Sequence, residues 1–296
     1  MRMRPLLILT ILLAGPLRAA QADTIDRQVS AEPRGSVVVS SVGGSIAVTG
    51  WDKPQVDVHA VVGSGQQVEV TSGPGHVDIR VIRTGSSYWR GGGGDAQLTV
   101  RIPQGSELEV IAVSAEVKSS GVLGVQRLQT VSGQIDADLA TDADVKTVSG
   151  ELRLRGGGRP AHLRVNSVSG DVSLINAAGE LEATTVSGML RAVLSPATSV
   201  RAHTTSGDLT VGGKLARGIT VDAQTISGEV SLHAPAEAGY DYDVSTFSGD
   251  IANCFGQQAW RTSTYGPGKQ LSGKRGNGEG RLRIKTLSGG IDLCDR

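Results

Sequence analysis

DVKTVSGELRL, residues 144–154, reads as two short alternating strands joined at a Ser-Gly corner. The phrase returns as RVNSVSGDVSL at 164–174, EATTVSGMLRAV at 182–193 and DAQTISGEVSL at 222–232. Anchored on its serine, it recurs at Ser132, Ser149, Ser169, Ser187, Ser206, Ser227, Ser248 and Ser288, with gaps of 17, 20, 18, 19, 21, 21 and 40 residues. A degenerate copy, LEVIAVSAEV, centres on Ser114. Self-similarity at such a period marks a stacked-repeat architecture.

Each offset has a fixed character. Four residues before the serine lie Leu128, Val145, Val165, Ala183, Ala202, Ala223, Val244 and Ile284. Two before lie Thr130, Thr147, Ser167, Thr185, Thr204, Thr225, Thr246 and Thr286; three after lie Ile135, Leu152, Val172, Leu190, Leu209, Val230, Ile251 and Ile291. Glycine follows the serine every time, as a corner with φ > 0 requires. One such unit cannot bury its own apolar face, but stacked copies turn each apolar offset into an internal ladder. The fold predicted is therefore all-β: a parallel, β-helix-like β-solenoid of Ser-Gly-cornered repeats, each about twenty residues long.

The fifth residue before the serine is always charged: Glu109, Arg127, Asp144, Arg164, Glu182, Arg201 and Asp222 alternate in sign, and Asp243 and Arg283 follow. Opposite charges on neighbouring strands attract weakly, so the row is read as a device for register. A binding strip would need one sign to dominate.

The gap of 40 before Ser288 holds either an extra rung or an insertion. Cys254 and Cys294 each lie six residues after their serines. With a rung between them they would be about 10 Å apart, too far for a disulfide. The expectation is an excursion at about 255–279, tied at its base by Cys254–Cys294, with LSGK at Ser272 as the weaker alternative rung. Upstream, 23–105 is β-rich but less regular and is expected to cap the solenoid, whose repeats occupy 106–296. Within it GSVVVSSVGGSIAVTGWD resembles a diverged rung with Gly44 in the glycine place, and Tyr88–Asp95, YWRGGGGD, reads as a mobile loop.

The chain opens MRMRPLLILTILLAGPLRAAQA, a basic start, a short apolar run and an A-x-A site. It reads as a secretory signal over 1–22, too short to span a bilayer, and no other stretch is long and apolar enough to do so. Removing it takes away Arg2, Arg4 and Arg18, so 29 − 29 = 0 becomes 26 − 29 = −3. That balance leaves no footprint for nucleic acid. Aromatic residues are only 3 % against 41 glycines, which suits tight turns and thin β-branched packing better than a globular enzyme core.

The signal, GGSIAVTGWD at 43–52, the repeated T-[VIF]-S-G-[DE]-[ILV] and the closing RLRIKTLSGGIDL at 281–293 resemble the β-strand-repeat family called domain of unknown function 4097, which carries an adhesin label. The resemblance covers 36–296. It implies an exported or cell-envelope β-repeat protein and brings no catalytic residues with it.

Candidate chemistry is sparse. Acids follow Ser-Gly as Glu151, Asp171, Asp208, Glu229 and Asp250. Asp208, Glu229 and Asp250 on successive rungs could offer oxygen ligands to Ca²⁺, but turn capping is the favoured reading. His59, His76, His162, His203 and His233 show no metal-ligand spacing, and no nucleophile elbow, P-loop or Cys-x-x-Cys occurs. No catalytic residue, metal or cofactor is expected. One row resists a structural account: the residue just before the serine is apolar at Val131, Val148, Val168, Val186, Ile226, Phe247 and Leu287, with Thr205 interrupting. Strand parity must break near the corner. A break before this row makes it core, the favoured reading; a break after makes it an exposed stripe and a partner surface, thickest around Ile226, Phe247 and Leu287.

The function expected is a non-enzymatic exported binding or scaffold surface, adhesin-like, in the periplasm and cell envelope or secreted. The protein would be a monomer, and its partner an envelope protein or polysaccharide. The alternatives are a polysaccharide-active β-helix enzyme, which requires a groove of converging Asp, Lys and Arg, and an envelope-stress accessory protein binding a membrane partner.

Overall fold

The structure, a computed structural model, describes residues 23–84, 95–233 and 239–294. The predicted signal at 1–22 and most of the predicted loop at 88–95 lie outside the described residues. All regular structure among the described residues is β-strand, and the fold is all-β.

The repeat becomes a solenoid-like parallel stack in register. Val145 pairs with Leu128 on one side and Val165 on the other; Thr147 lies between Thr130 and Ser167, and Ser149 between Ser132 and Ser169. The same registration carries Ser169 to Ser187, Ser206 and Ser227. Each rung has an arm before the corner, such as Ala143–Ser149, and an arm after it, such as Leu152–Gly156. The two apolar ladders, one per arm, are buried (Val145 and Leu152 are 0 % exposed) except at Ile251, which is half-buried, and alternate residues face out. The threonine ladder is buried beside them, and the hydroxyls of Thr130, Thr147, Thr204, Thr225 and Thr286 find no hydrogen-bond partner.

The corner glycines answer to more than φ. Gly150 has φ of 158°, and a Cβ there would lie 2.0 Å from the carbonyl oxygen of Gly133 in the neighbouring rung. Glycines thus stack on glycines up the corner, and the backbones approach as closely as they do because no side chain intervenes.

Ser36–Trp51 is a full rung, stacked on Glu107–Ser120 with Gly44 opposite Ala115, the residue in the glycine place of the Ser114 copy. Beyond it the arms separate. His76–Arg83 continues the first arm and Gln97–Pro103 the second, both in parallel. Antiparallel strands then finish each side: Gln66–Gly73 on one, Gln55–Val62 and Asp23–Ser30 on the other.

At the opposite end the order in space departs from the order in sequence. Gly280–Ser288, in the last rung of the chain, lies between Leu209–Ser227 and Tyr240–Ser248, parallel to both. The outer edge of Tyr240–Ser248 is covered by Lys269–Arg275, antiparallel to it, and Trp260–Arg261 pairs beyond. Ser272 sits opposite Asp243 in that antiparallel strand, so LSGK is not a rung. Cys254 and Cys294 end neighbouring arms and are bonded, with Cα atoms 5.1 Å apart. The core thickens here: Tyr240 and Tyr242 are buried, and Tyr242 packs 5.2 Å from Phe255.

Candidate binding surface

The row before each serine is exposed. Val131, Val148, Val168, Val186, Ile226, Leu287 and Phe247 are between 44 and 60 % accessible. The expectation of a core position is corrected by the corner geometry. The threonine two before the serine points inward, the residue before the serine outward, and the serine outward as well. Parity therefore breaks at Ser-Gly, after the row, where the glycine supplies the turn. Two further rungs extend the row through Val113 and Val42, 44 and 51 % accessible. In spatial order it runs Val42, Val113, Val131, Val148, Val168, Val186, Thr205, Ile226, Leu287, Phe247. At one strand spacing per rung the stripe is about 43 Å long.

Its borders are mostly polar, with Ile111 and Met189 as exposed apolar side chains among them. The exposed corner serines flank it, and beyond them stand the acids. Asp171 accepts from the backbone N–H of Met189 at 2.8 Å and Asp208 from that of Glu229 at 2.9 Å, so each caps the next rung. The inserted last rung places Gly290 between Glu229 and Asp250, and Asp208, Glu229 and Asp250 do not occupy three successive rungs. Asp250 instead pairs with Lys269. Among the described residues no three His, Cys, Asp or Glu side chains gather as a metal site. His59 lies against Asp26, His162 against Glu180 and His233 against the carbonyl of Cys294.

At its terminal end the stripe runs into a shallow hollow of about 400 Å³, where Phe247 and Leu287 meet Thr262 and Gly268 of the excursion. Trp260 and Tyr265 of the same excursion are exposed, Tyr265 almost completely, at 98 %. A second dent, about 530 Å³, brings Asp241 and Asp243 of one strand beside Arg281 and Arg283 of the next.

The charged row faces solvent on the same arm. Glu109 stands opposite Arg127, Arg127 opposite Asp144, Asp144 opposite Arg164, and so on through Glu182, Arg201 and Asp222. Arg164 donates to Glu182 at 3.1 Å through two nitrogens, whereas Arg127 reaches Glu107 and Lys146 reaches Asp144. The sequence order Asp222, Asp243, Arg283 breaks the alternation. The spatial order Asp222, Arg283, Asp243 restores it, giving nine rungs of alternating sign. That break was the one signal in the sequence that the last rung is inserted. Elsewhere Arg155 spans Asp136 and Asp138, both at 2.6 Å, and these hydrogen bonds raise its pKa. Burial pushes the Tyr242 phenol above its ordinary range; it donates to Gln257 at 2.8 Å.

The family model described as Toastrack DUF4097 matches residues 37–294. None of the curated proteins matches the chain in sequence. Among solved structures, a "putative adhesin" from Bacteroides fragilis is 11 % identical, with 92 % of this chain and 97 % of that chain covered and a TM-score of 0.37. A "putative lipid binding protein" from Parabacteroides distasonis is 11 % identical, with 93 % and 98 % covered and a TM-score of 0.36. A "putative cell adhesion protein" from Clostridium sporogenes is 10 % identical, with 92 % and 99 % covered and a TM-score of 0.27.

Proposed function

Since the chain belongs to the Toastrack family, domain of unknown function 4097, we propose that it is an exported, non-enzymatic β-solenoid whose apolar stripe is an adhesin-like binding or scaffold surface of the cell envelope. Residues 1–22 are its export signal, 23–105 the N-terminal segment that caps the stack and contributes the rung Ser36–Trp51, and 106–296 its Ser-Gly-cornered repeats, with the excursion at about 255–279. It works in the periplasm and envelope or after secretion. The observation that carries the reading is the exposed row from Val42 to Phe247, continuous over the rungs except at Thr205 and bordered by serines. An apolar strip of that length, rimmed by polar groups, is characteristic of a partner surface. Its length suits an extended envelope protein or polysaccharide laid along the stack. Among the described residues no helix is long and apolar enough to cross a membrane.

The test is co-sedimentation of the chain from Asp23 with envelope fractions of the producing cell, beside an Ile226→Asp/Phe247→Asp variant shown by circular dichroism to be folded. Both positions face water, so the variant is expected to fold and to lose most of its sedimentation. Equal sedimentation of the two forms would move the binding surface elsewhere. The dent beside Asp241, Asp243, Arg281 and Arg283 favours a second reading, a polysaccharide-active enzyme. Release of reducing ends from envelope polysaccharide, abolished by Asp243→Asn, would replace the first reading with this one.

A further inference from the structure

The last rung in sequence fills a slot inside the stack. Its first arm, Gly280–Ser288, bonds to Leu209–Ser227 and Tyr240–Ser248; its second, Ile291–Leu293, bonds to Val230–Leu232 and Ile251–Asn253. Both walls are themselves rungs. They present Ala223 and Val244, Thr225 and Thr246, and Ser227 and Ser248 at matching heights. An open slot would be two unpaired strand edges, complementary to any strand carrying the repeat. Charge narrows the choice. The walls hold Asp222 and Asp243, and the occupant sets Arg283 between them. Direct closure of the walls would oppose the two aspartates, at a cost of up to about 1 kcal/mol, whereas a strand carrying Arg283 meets an opposite charge on each side.

The occupant is held at both ends. Upstream it follows Lys269–Arg275, which runs along the far edge of Tyr240–Ser248, and the turn GNGEG at 276–280, where Gly276 and Gly278 have positive φ. Downstream the Cys254–Cys294 bond pins it to the neighbouring arm. With that bond cut, the ladders to the two walls and the glycine-rich turn at 276–280 are what hold the last rung in its slot.

We propose that this slot is a strand-acceptor site for a second copy of the chain. A dithiol reduces the Cys254–Cys294 bond: two electrons and two protons pass to the sulfurs, two thiols form, and the dithiol closes to its own disulfide. The freed Gly280–Leu293 then exchanges with that of another molecule, giving a reciprocal strand-exchanged dimer. Exchange of an identical element keeps each pairing of the monomer, so it is a low-cost route to a dimer, and concentration sets the balance.

The experiment compares the chain from Asp23 to Arg296, oxidised, reduced with dithiothreitol, and as a Cys254→Ser/Cys294→Ser variant, by size exclusion with light scattering over a roughly hundredfold concentration range. A fluorescent peptide of residues 279–293 is added to each. The oxidised chain is expected to be monomeric and to exclude the peptide. The reduced and cysteine-free chains are expected to dimerise with concentration and to take up the peptide, an Arg283→Asp peptide binding roughly tenfold more weakly. A folded cysteine-free chain that stays monomeric and takes up no peptide overturns the proposal. So does a cysteine-free chain without β-sheet circular dichroism, because the slot would not outlast the bond. Equal uptake of the two peptides would remove the role of charge, and equal dimerisation of the oxidised chain would remove that of the disulfide.

Discussion

The corner glycines and the buried threonines make opposite contributions at the scale of single residues. A methyl at Gly150 meets the backbone oxygen of Gly133 at 2.0 Å, in a conformation that L side chains rarely adopt. Gly150→Ala is expected to cost more than about 2 kcal/mol, read as a shift in the urea midpoint. Gly73→Ala, with nothing within 4 Å, should change stability by less than about 0.5 kcal/mol. Thr147 buries a hydroxyl without a partner. Thr147→Val keeps the shape and removes the desolvation cost, so the same titration should show no loss, and a gain of up to about 1 kcal/mol. Tyr242 adds a pH dependence. Its phenol, raised by burial, stays neutral in the folded chain at pH values where it ionises in the unfolded one. Its contribution is therefore complete below the ordinary tyrosine pKa and is lost as pH rises through the folded value. Thermal melts should show stability falling above about pH 10, and Tyr242→Phe should flatten that fall. The sequence displayed the need for glycine but only half its cause, since backbone contact between rungs is invisible until they are stacked.

Rungs recognise one another through several weak matches that share one register. A charge in the external row has two neighbours of opposite sign, as Arg201 has in Glu182 and Asp222. Arg201→Glu would place three acids in line and is expected to cost about 1 kcal/mol at low salt. Because the row is exposed, most of that cost should vanish in about 1 M salt, where the Debye length is near 3 Å. A difference unaffected by salt would show that packing, not charge, sets the effect. The repeats, their parallel register and the two equally spaced cysteines were legible because each is a periodic property. The fate of the valine row was not. It depends on where one corner changes parity, and Ser-Gly permits the change on either side of the row. The inserted rung was hidden for a different reason. A chain read in order places Ser288 last, and only the paired aspartates 222 and 243 object.

For the molecule as a whole, the two ends are finished differently. One is closed by antiparallel strands laid on a divided rung, the other by a strand that doubles back over Tyr240–Ser248. Protection from hydrogen exchange should follow position in the stack, not distance from the chain terminus. Amides of Gly280–Ser288 are expected to exchange as slowly as those of Ala143–Ser149 and far more slowly than those of Gln66–Gly73, as mass spectrometry of exchanged peptides would resolve. Fast exchange at 280–288 would mean that the last rung opens on its own. The insertion also limits how such a protein lengthens by duplication. A repeat added after Leu293 would follow a strand whose two sides are already occupied, with no free edge on which to stack. New rungs added from within, between corners such as Ser149 and Ser206, would meet neighbours of the matching shape on both sides, and the alternation asks for them two at a time.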